Sequence, residues 1–307
     1  DEILRKLSAD TGPATVKSIK EKSFWREKPY LYSLQGLQMD ANKVYGFSLQ
    51  HTLDLAQSLY EKGFTTYPRT DSSHLTDDMG PEMKKVIQML FSSDTYSKFK
   101  SATEPVDSSN KYYFDSSKVE SHYAIVPTSK KLSLGQMSDD EKKLYDMIAR
   151  SVICICYPKA QLSKTNIITE KSGEEFTTCG ISILKPGYFE VLGRPRENLL
   201  PKLQERESVQ GKYIKEAKKT EPPKRYTDQT LLTAMITCGK HIDDAELRKV
   251  MSSGADGKPR GLGRPSTQAS IVTTLETRRY LERKGKSLIP TERGIHLISI
   301  FPIGKLR

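Results

Sequence analysis

Tyr67 and Arg69 flank Pro68 in the run Phe64-Thr65-Thr66-Tyr67-Pro68-Arg69-Thr70-Asp71-Ser72-Ser73. A phenol and a guanidinium aimed at one spot suit a phosphodiester: the guanidinium forks two phosphate oxygens and the phenol oxygen attacks phosphorus. Proline disfavours the helical region for its predecessor, so Tyr67 is expected in extended chain. Residues two apart then share a face, which sets Tyr67 beside Arg69. The obstacle is acidity, because a free tyrosine has a pKa of about 10 and needs a proton acceptor or positive charge nearby. His122, in Glu120-Ser121-His122-Tyr123-Ala124-Ile125-Val126-Pro127-Thr128, could donate a hydrogen bond or shuttle a proton beside a phosphate. Taken singly, neither signal is diagnostic: a Tyr and an Arg after a helix, or one surface imidazole, are ordinary in proteins that catalyse nothing.

A second constellation lies near the C-terminal end. A glycine-rich loop, Gly254 to Pro265 with Arg260, Gly261, Gly263 and Arg264, leads into a helix expected from Ser266 to about Arg279. The free N–H groups and positive dipole end of such a helix, beginning at Ser266-Thr267, form a ready phosphate site. A glycine loop before a helix is also common as plain architecture.

The elements that must position these groups follow from periodicity. Val16, Ile19 and Phe24 among lysines over 13–25 read as a short amphipathic strand or two. Apolar residues at helical spacing predict helices over 34–44 and 49–60, the second capped by Ser48 and stopped at Gly63. The Tyr67 segment follows that stop directly. Helix is expected again over 77–100 and 138–156, polar turns over 101–118, and alternating strands over 160–193. A basic, proline-containing connector, 211–225, marks a boundary. Beyond it, Thr227 or Asp228 caps a helix through Cys238, a short helix covers 243–252, and a hairpin turns at Gly285-Lys286.

Composition narrows the function classes. The chain has 307 residues with 49 Lys+Arg against 38 Asp+Glu, a net charge of +11. This balance attracts polyanions, nucleic acid above all. With 36% hydrophobic and 28% charged residues it reads as globular, and no apolar run approaches the roughly 18–20 residues of a membrane helix. Cys154, Cys156, Cys179 and Cys238 contain no C-x-x-C pair, so neither a disulfide framework nor a zinc site is expected, and a reducing cytoplasm is the natural reading. The opening at Asp1 and the close in the apolar run 298–303 suggest a piece of a longer protein.

Together the motifs resemble a known family. Pro29-Tyr30-Leu31-Tyr32-Ser33-Leu34-Gln35-Gly36-Leu37-Gln38, Ala41-Asn42, Gly46-Phe47-Ser48 and Tyr60 through Ser72 are similar to the active-site region of type IA DNA topoisomerases, with Pro68 pointing to the topoisomerase III branch. Ser121 through Thr128, Asp140 through Tyr145 and Gly261 through Ile271 continue the match in the family's order. The resemblance implies that Tyr67 is the nucleophile that keeps a 5′ phosphate, that Arg69 holds the scissile phosphate, and that His122 lies beside it. Arg264, Ser266 and Thr267 would grip single-stranded DNA, with Thr70, Asp71 and Ser72 contributing to DNA binding. No ATP is expected.

The resemblance also implies Mg²⁺, held by a D-x-D-x-E cluster in an N-terminal Toprim domain; no D-x-D occurs here, so no metal ligand is assigned in this chain. The expected fold is α+β and multidomain: residues 1–10 a linker, 10–38 with 159–225 a β-rich arch, 39–158 a helical, winged-helix-like gate inserted in that arch, and 226–307 part of a mostly helical, winged-helix-like DNA-binding domain. The expected partners are single-stranded, negatively supercoiled or catenated DNA. The expected setting is a monomer in the bacterial cytoplasm, on the nucleoid. Other tyrosine chemistries fit less well, because no histidine is followed three residues later by Arg and no two form a His-x-His metal site. A non-catalytic single-strand-binding module stays open beside the enzyme.

Overall fold

A computed structural model describes residues 2–101, 104–238, 246 and 261–300, apart from the side chains of Pro265 and Ser266. In chain order its elements are α1 (Glu2–Ala9), β1 (Ala14–Arg26), α2 (Leu34–Tyr45), α3 (Leu49–Glu61), α4 (Gly80–Phe91), α5 (Asp139–Ile153), β2 (Ala160–Lys171), β3 (Glu174–Lys185), α6 (Phe189–Leu192), β4 (Ser208–Val209), α7 (Asp228–Ile236), α8 (Pro265–Thr277), β5 (Leu281–Lys284), β6 (Ser287–Pro290) and α9 (Glu292–Ile300). The chain is mixed α and β, and every pairing between its named strands is antiparallel. The expected 243–252 helix and the loop 254–260 lie outside the described residues.

Two compact units emerge. The first combines 1–29, 102–104 and 156–222. It is built on a sheet of order β3-β2-β1-β4. Ser172 and Gly173 turn β2 into β3 with φ of 53° and 78°, the left-handed pair that a two-residue hairpin turn requires. Residues 2–9, read as part of a linker, form α1 with Leu7 buried. The stretch expected as one or two short strands is a single 13-residue β1, because β2 runs opposite it from Thr15 to Arg26. Its second half, 20–26, is exposed throughout, so no apolar alternation there reports its length.

The second unit combines 30–101, 105–155 and 223–307. Its helices follow the expected spacing closely. Ser33 and Ser48 cap α2 and α3 by accepting from the N–H of Gly36 and His51, and Gly46 ends α2 at φ 77°. The long helix expected over 77–100 is shorter: a 3-10 turn at 77–79 precedes α4, which stops before Ser92-Ser93, whose hydroxyls bond the carbonyls of Met89 and Leu90. Likewise α5 ends at Ile153, and 154–156 tighten into a 3-10 turn.

A second core within this unit joins Leu49, Leu232, Met235, Ala269, Val272 and Leu288, tying α3, α7, α8 and β6 together. Beside it Arg283 spans Asp228, which is buried, and Glu276. Gly261 is required where the chain passes α7: a Cβ there would lie 2.4 Å from the Met235 carbonyl oxygen.

Candidate active site

The Tyr67 segment is held in place by its backbone. Gly63 takes φ 73° at the end of α3, and the next N–H, of Phe64, returns to the Leu59 carbonyl. The chain then lies against 122–128: Thr66 N–H donates to Val126 O at 2.9 Å and Thr128 N–H donates to Phe64 O at 3.0 Å. The Thr66 hydroxyl adds two more links, donating to Ala124 O at 3.1 Å and accepting from Val126 N–H at 3.0 Å. On its other side the 122–128 segment bonds Tyr32 and His74, with Ile125 N–H to Tyr32 O at 2.8 Å and Ala124 N–H to His74 O at 2.9 Å. Phe64, Thr65, Ala124, Ile125 and Val126 are buried. The site is thus a set of short, mutually bonded segments on an apolar floor.

From this floor Tyr67 is half-buried, and Arg69 and His122 are exposed. The structure brings Tyr67 and His122 together, ring centroids 4.4 Å apart at 45°. Tyr60, near the end of α3, packs edge-on against the other partner of this pair, 5.4 Å from Tyr67 at 80°. The chain bends at Pro68, where extended strand was expected. Strand alternation therefore does not carry from Tyr67 to Arg69.

Two of the residues read as DNA contacts are placed otherwise. Thr70 and Ser72 are each only 2% exposed. The Thr70 hydroxyl donates to His122 O at 2.7 Å and accepts from Ser72 N–H at 3.1 Å, while the Ser72 hydroxyl donates to Lys118 O at 2.9 Å. Their polar atoms are committed to main chain, Thr70 at His122 and Ser72 at Lys118. Asp71 between them is exposed. Tyr60 and Thr66 are the site residues that sequence reasoning missed. Tyr60 carries the helical period of α3, and no periodicity survives the stop at Gly63 to relate it to Tyr67.

The second constellation is separate in sequence and lies in the same unit. Arg264 precedes α8 and is exposed, and Pro265 occupies the first turn, where its missing N–H costs nothing. The Thr267 hydroxyl accepts from Arg264 N–H and donates to Arg264 O, both at 3.1 Å, closing the helix start. Gly263 takes φ 76°. Buried Gln268 anchors the turn, donating to Leu262 O at 3.1 Å and accepting from Gln35 of α2 at 2.6 Å. Ser266 belongs to α8, but its side chain is outside the described residues.

Among the described residues no three His, Cys, Asp or Glu side chains are grouped as ligands for a metal. Mg²⁺ therefore has no donor set in them. Nor is any described helix long and apolar enough to cross a membrane.

Comparison with known proteins bears on this geometry. The family model described as DNA topoisomerase matches residues 1–306. The chain is 32% identical over 300 residues to DNA topoisomerase 3 of Bacillus licheniformis, covering 94% of this chain and 41% of that protein. It is 34% identical over 301 residues to DNA topoisomerase 3 of Bacillus subtilis, covering 94% and 40%. The full-length topoisomerase I structure from Thermotoga maritima superposes with a TM-score of 0.71 at 25% identity, over 97% of this chain and 46% of that one. The chain spans about two fifths of the length of these curated relatives. With Tyr67 in ring contact with both Tyr60 and His122 and the family model matching residues 1–306, the chain belongs to the type IA DNA topoisomerase family.

Proposed function

We propose that Tyr67 is the nucleophile of a DNA strand transesterification carried out by a longer topoisomerase III-like enzyme. The phenol oxygen bonds the scissile phosphorus while the bond from phosphorus to the 3′ oxygen breaks. The proton given up by the phenol is balanced by one gained at the 3′ hydroxyl, and the 5′ phosphate stays on Tyr67. Reversal reseals the strand. One phosphodiester replaces another, so no ATP is consumed, and passage of a second strand through the break relaxes or decatenates DNA. Arg69 clamps the scissile phosphate and His122 hydrogen-bonds or relays a proton beside it. Arg264, Ser266 and Thr267 grip the single strand upstream. Mg²⁺, supplied with a Toprim domain, would add electrostatic stabilisation of the phosphate. Residues 39–158 would serve as a winged-helix-like gate, 10–38 with 159–225 as an arch, and 226–307 as the strand-binding part of a monomer working on the bacterial nucleoid.

The observation that carries this reading is the half-buried Tyr67 ring, in contact with the rings of Tyr60 and His122, on a segment fixed by main-chain bonds. Such fixing is what a nucleophile needs to sit in line with its target. The test is a denaturant trap after incubation with labelled single-stranded DNA, Mg²⁺ and a separately supplied Toprim domain. A covalent adduct that Tyr67→Phe abolishes is the expected result. An adduct that persists in Tyr67→Phe moves the nucleophile elsewhere. No adduct at all, with binding intact, makes the chain a binding module.

A further inference from the structure

One face of the β1–β2–β3 sheet carries a charge arrangement that costs the fold stability. In the β1–β2 register Lys22 stands directly opposite Lys164, and Lys20, one row along, stands opposite Asn166. The rows continue onto β3 as Ile181 and Cys179, and the Cys179 thiol donates to Asn166 Oδ1, which places that row on one face. Residues two apart in a strand share a face, so Lys20, Lys22 and Lys164 project together, with Phe24 completing the row after Lys22. All three lysines are exposed, and among the described residues none makes an ion pair, a side-chain hydrogen bond or a ring contact.

Like charges directly opposite in a sheet are destabilising. The neighbouring lysines show the usual remedy: Lys17 pairs Glu170 and Glu175, and Lys159 pairs Glu27. Glu21 lies between Lys20 and Lys22 in sequence, yet it projects to the opposite face and accepts from the Ser163 hydroxyl at 2.7 Å. The carboxylate nearest in sequence is thus turned away, and among the described residues no ion pair offsets the Lys22–Lys164 repulsion.

We infer that this face of the first unit docks the sugar–phosphate backbone of duplex DNA. The inference rests on the DNA reading given above. Phosphates supply the missing counter-charge, and releasing their condensed cations drives the association. A duplex is the occupant because the face offers a row of ammonium groups with only Phe24 as a ring, whereas a single strand is held by successive aromatic platforms on which bases stack.

The test replaces Lys20, Lys22 and Lys164 together by Gln and measures duplex affinity across a salt series. Each phosphate contact contributes about 0.9 to the slope of log K against log salt, so the slope should flatten by about 2–3. A matched control, Lys84→Gln with Lys131→Gln and Lys202→Gln, removes the same charge elsewhere and should leave the slope nearly unchanged. The thermal midpoint of Lys22→Gln should rise or hold, because the cross-strand repulsion is relieved. The covalent adduct on a short single strand should be unaffected, which separates failure of this surface from failure of Tyr67. An equal flattening in the control, a slope change seen on single strands alone, or a fall in the Lys22→Gln midpoint would overturn the proposal.

Discussion

At the scale of the residue, the site separates groups that face outward from groups that hold them. Tyr67 and His122 meet ring to ring, and Arg69 is free to solvent. Thr66 and Thr70 spend their hydroxyls on main-chain oxygens of Ala124 and His122, and Ser72 spends its own on Lys118 O. Thr70 and Ser72 are buried as well, which makes them struts of the segment. If Tyr67 is the nucleophile proposed above, Arg69, exposed two residues after it, is the side chain expected to gain most in the transition state. Arg69→Ala should lower adduct yield on the order of 100-fold while weakening oligonucleotide binding only a few-fold. Equal losses in the two assays would take Arg69 away from the scissile phosphate.

At the scale of the element, α3 and α5 are joined where the Tyr67 segment begins. Ser138 and Glu141 form a capping box at the start of α5, and the same Glu141 carboxylate accepts from Lys62 and Ser58 at the end of α3. Burial by itself would raise this carboxyl, but the bonds from Lys62, Ser58 and the Ser138 N–H outweigh it and hold the pKa at about 2. A depressed folded-state pKa means the carboxylate contributes its stability in full above its ordinary value of 4.5 and loses it as the pH falls toward about 2. Glu141→Gln should therefore cost about 1–3 kcal/mol at neutral pH and flatten the acid limb between those values. Denaturant melts at several pH values check it, and an unchanged acid limb would mean that other carboxylates dominate there.

At the scale of the whole molecule, a surplus of 49 − 38 = 11 positive charges makes polyanion binding salt-dependent whatever the detailed contacts. What distinguishes a built contact from diffuse attraction is the slope. The α8 start combines exposed Arg264 with a turn held rigid by Gln268 and Gly263. Arg264→Ala should lower the salt slope of single-strand binding by about 0.7, one phosphate's worth, across sequences. A slope that does not move would place Arg264 off the backbone.

Local pattern carried much of this in the linear chain. The helices at 34–45 and 49–61, their serine caps and the β5–β6 hairpin depend on neighbours within a few residues, so they are legible from spacing alone. The Tyr67-Pro68-Arg69 motif is likewise local, and so is the family it signals. What depended on contacts distant in sequence was not legible. The full length of β1 is set by β2, more than a hundred residues away, and its exposed half has no alternation to read. Whether Thr70 and Ser72 face a ligand or a carbonyl depends on the 118–122 segment, some fifty residues on. The pairing of Tyr67 with His122 and Tyr60 arises only when three segments close on one floor, and the lysine row on the sheet exists only in the register of β1 against β2.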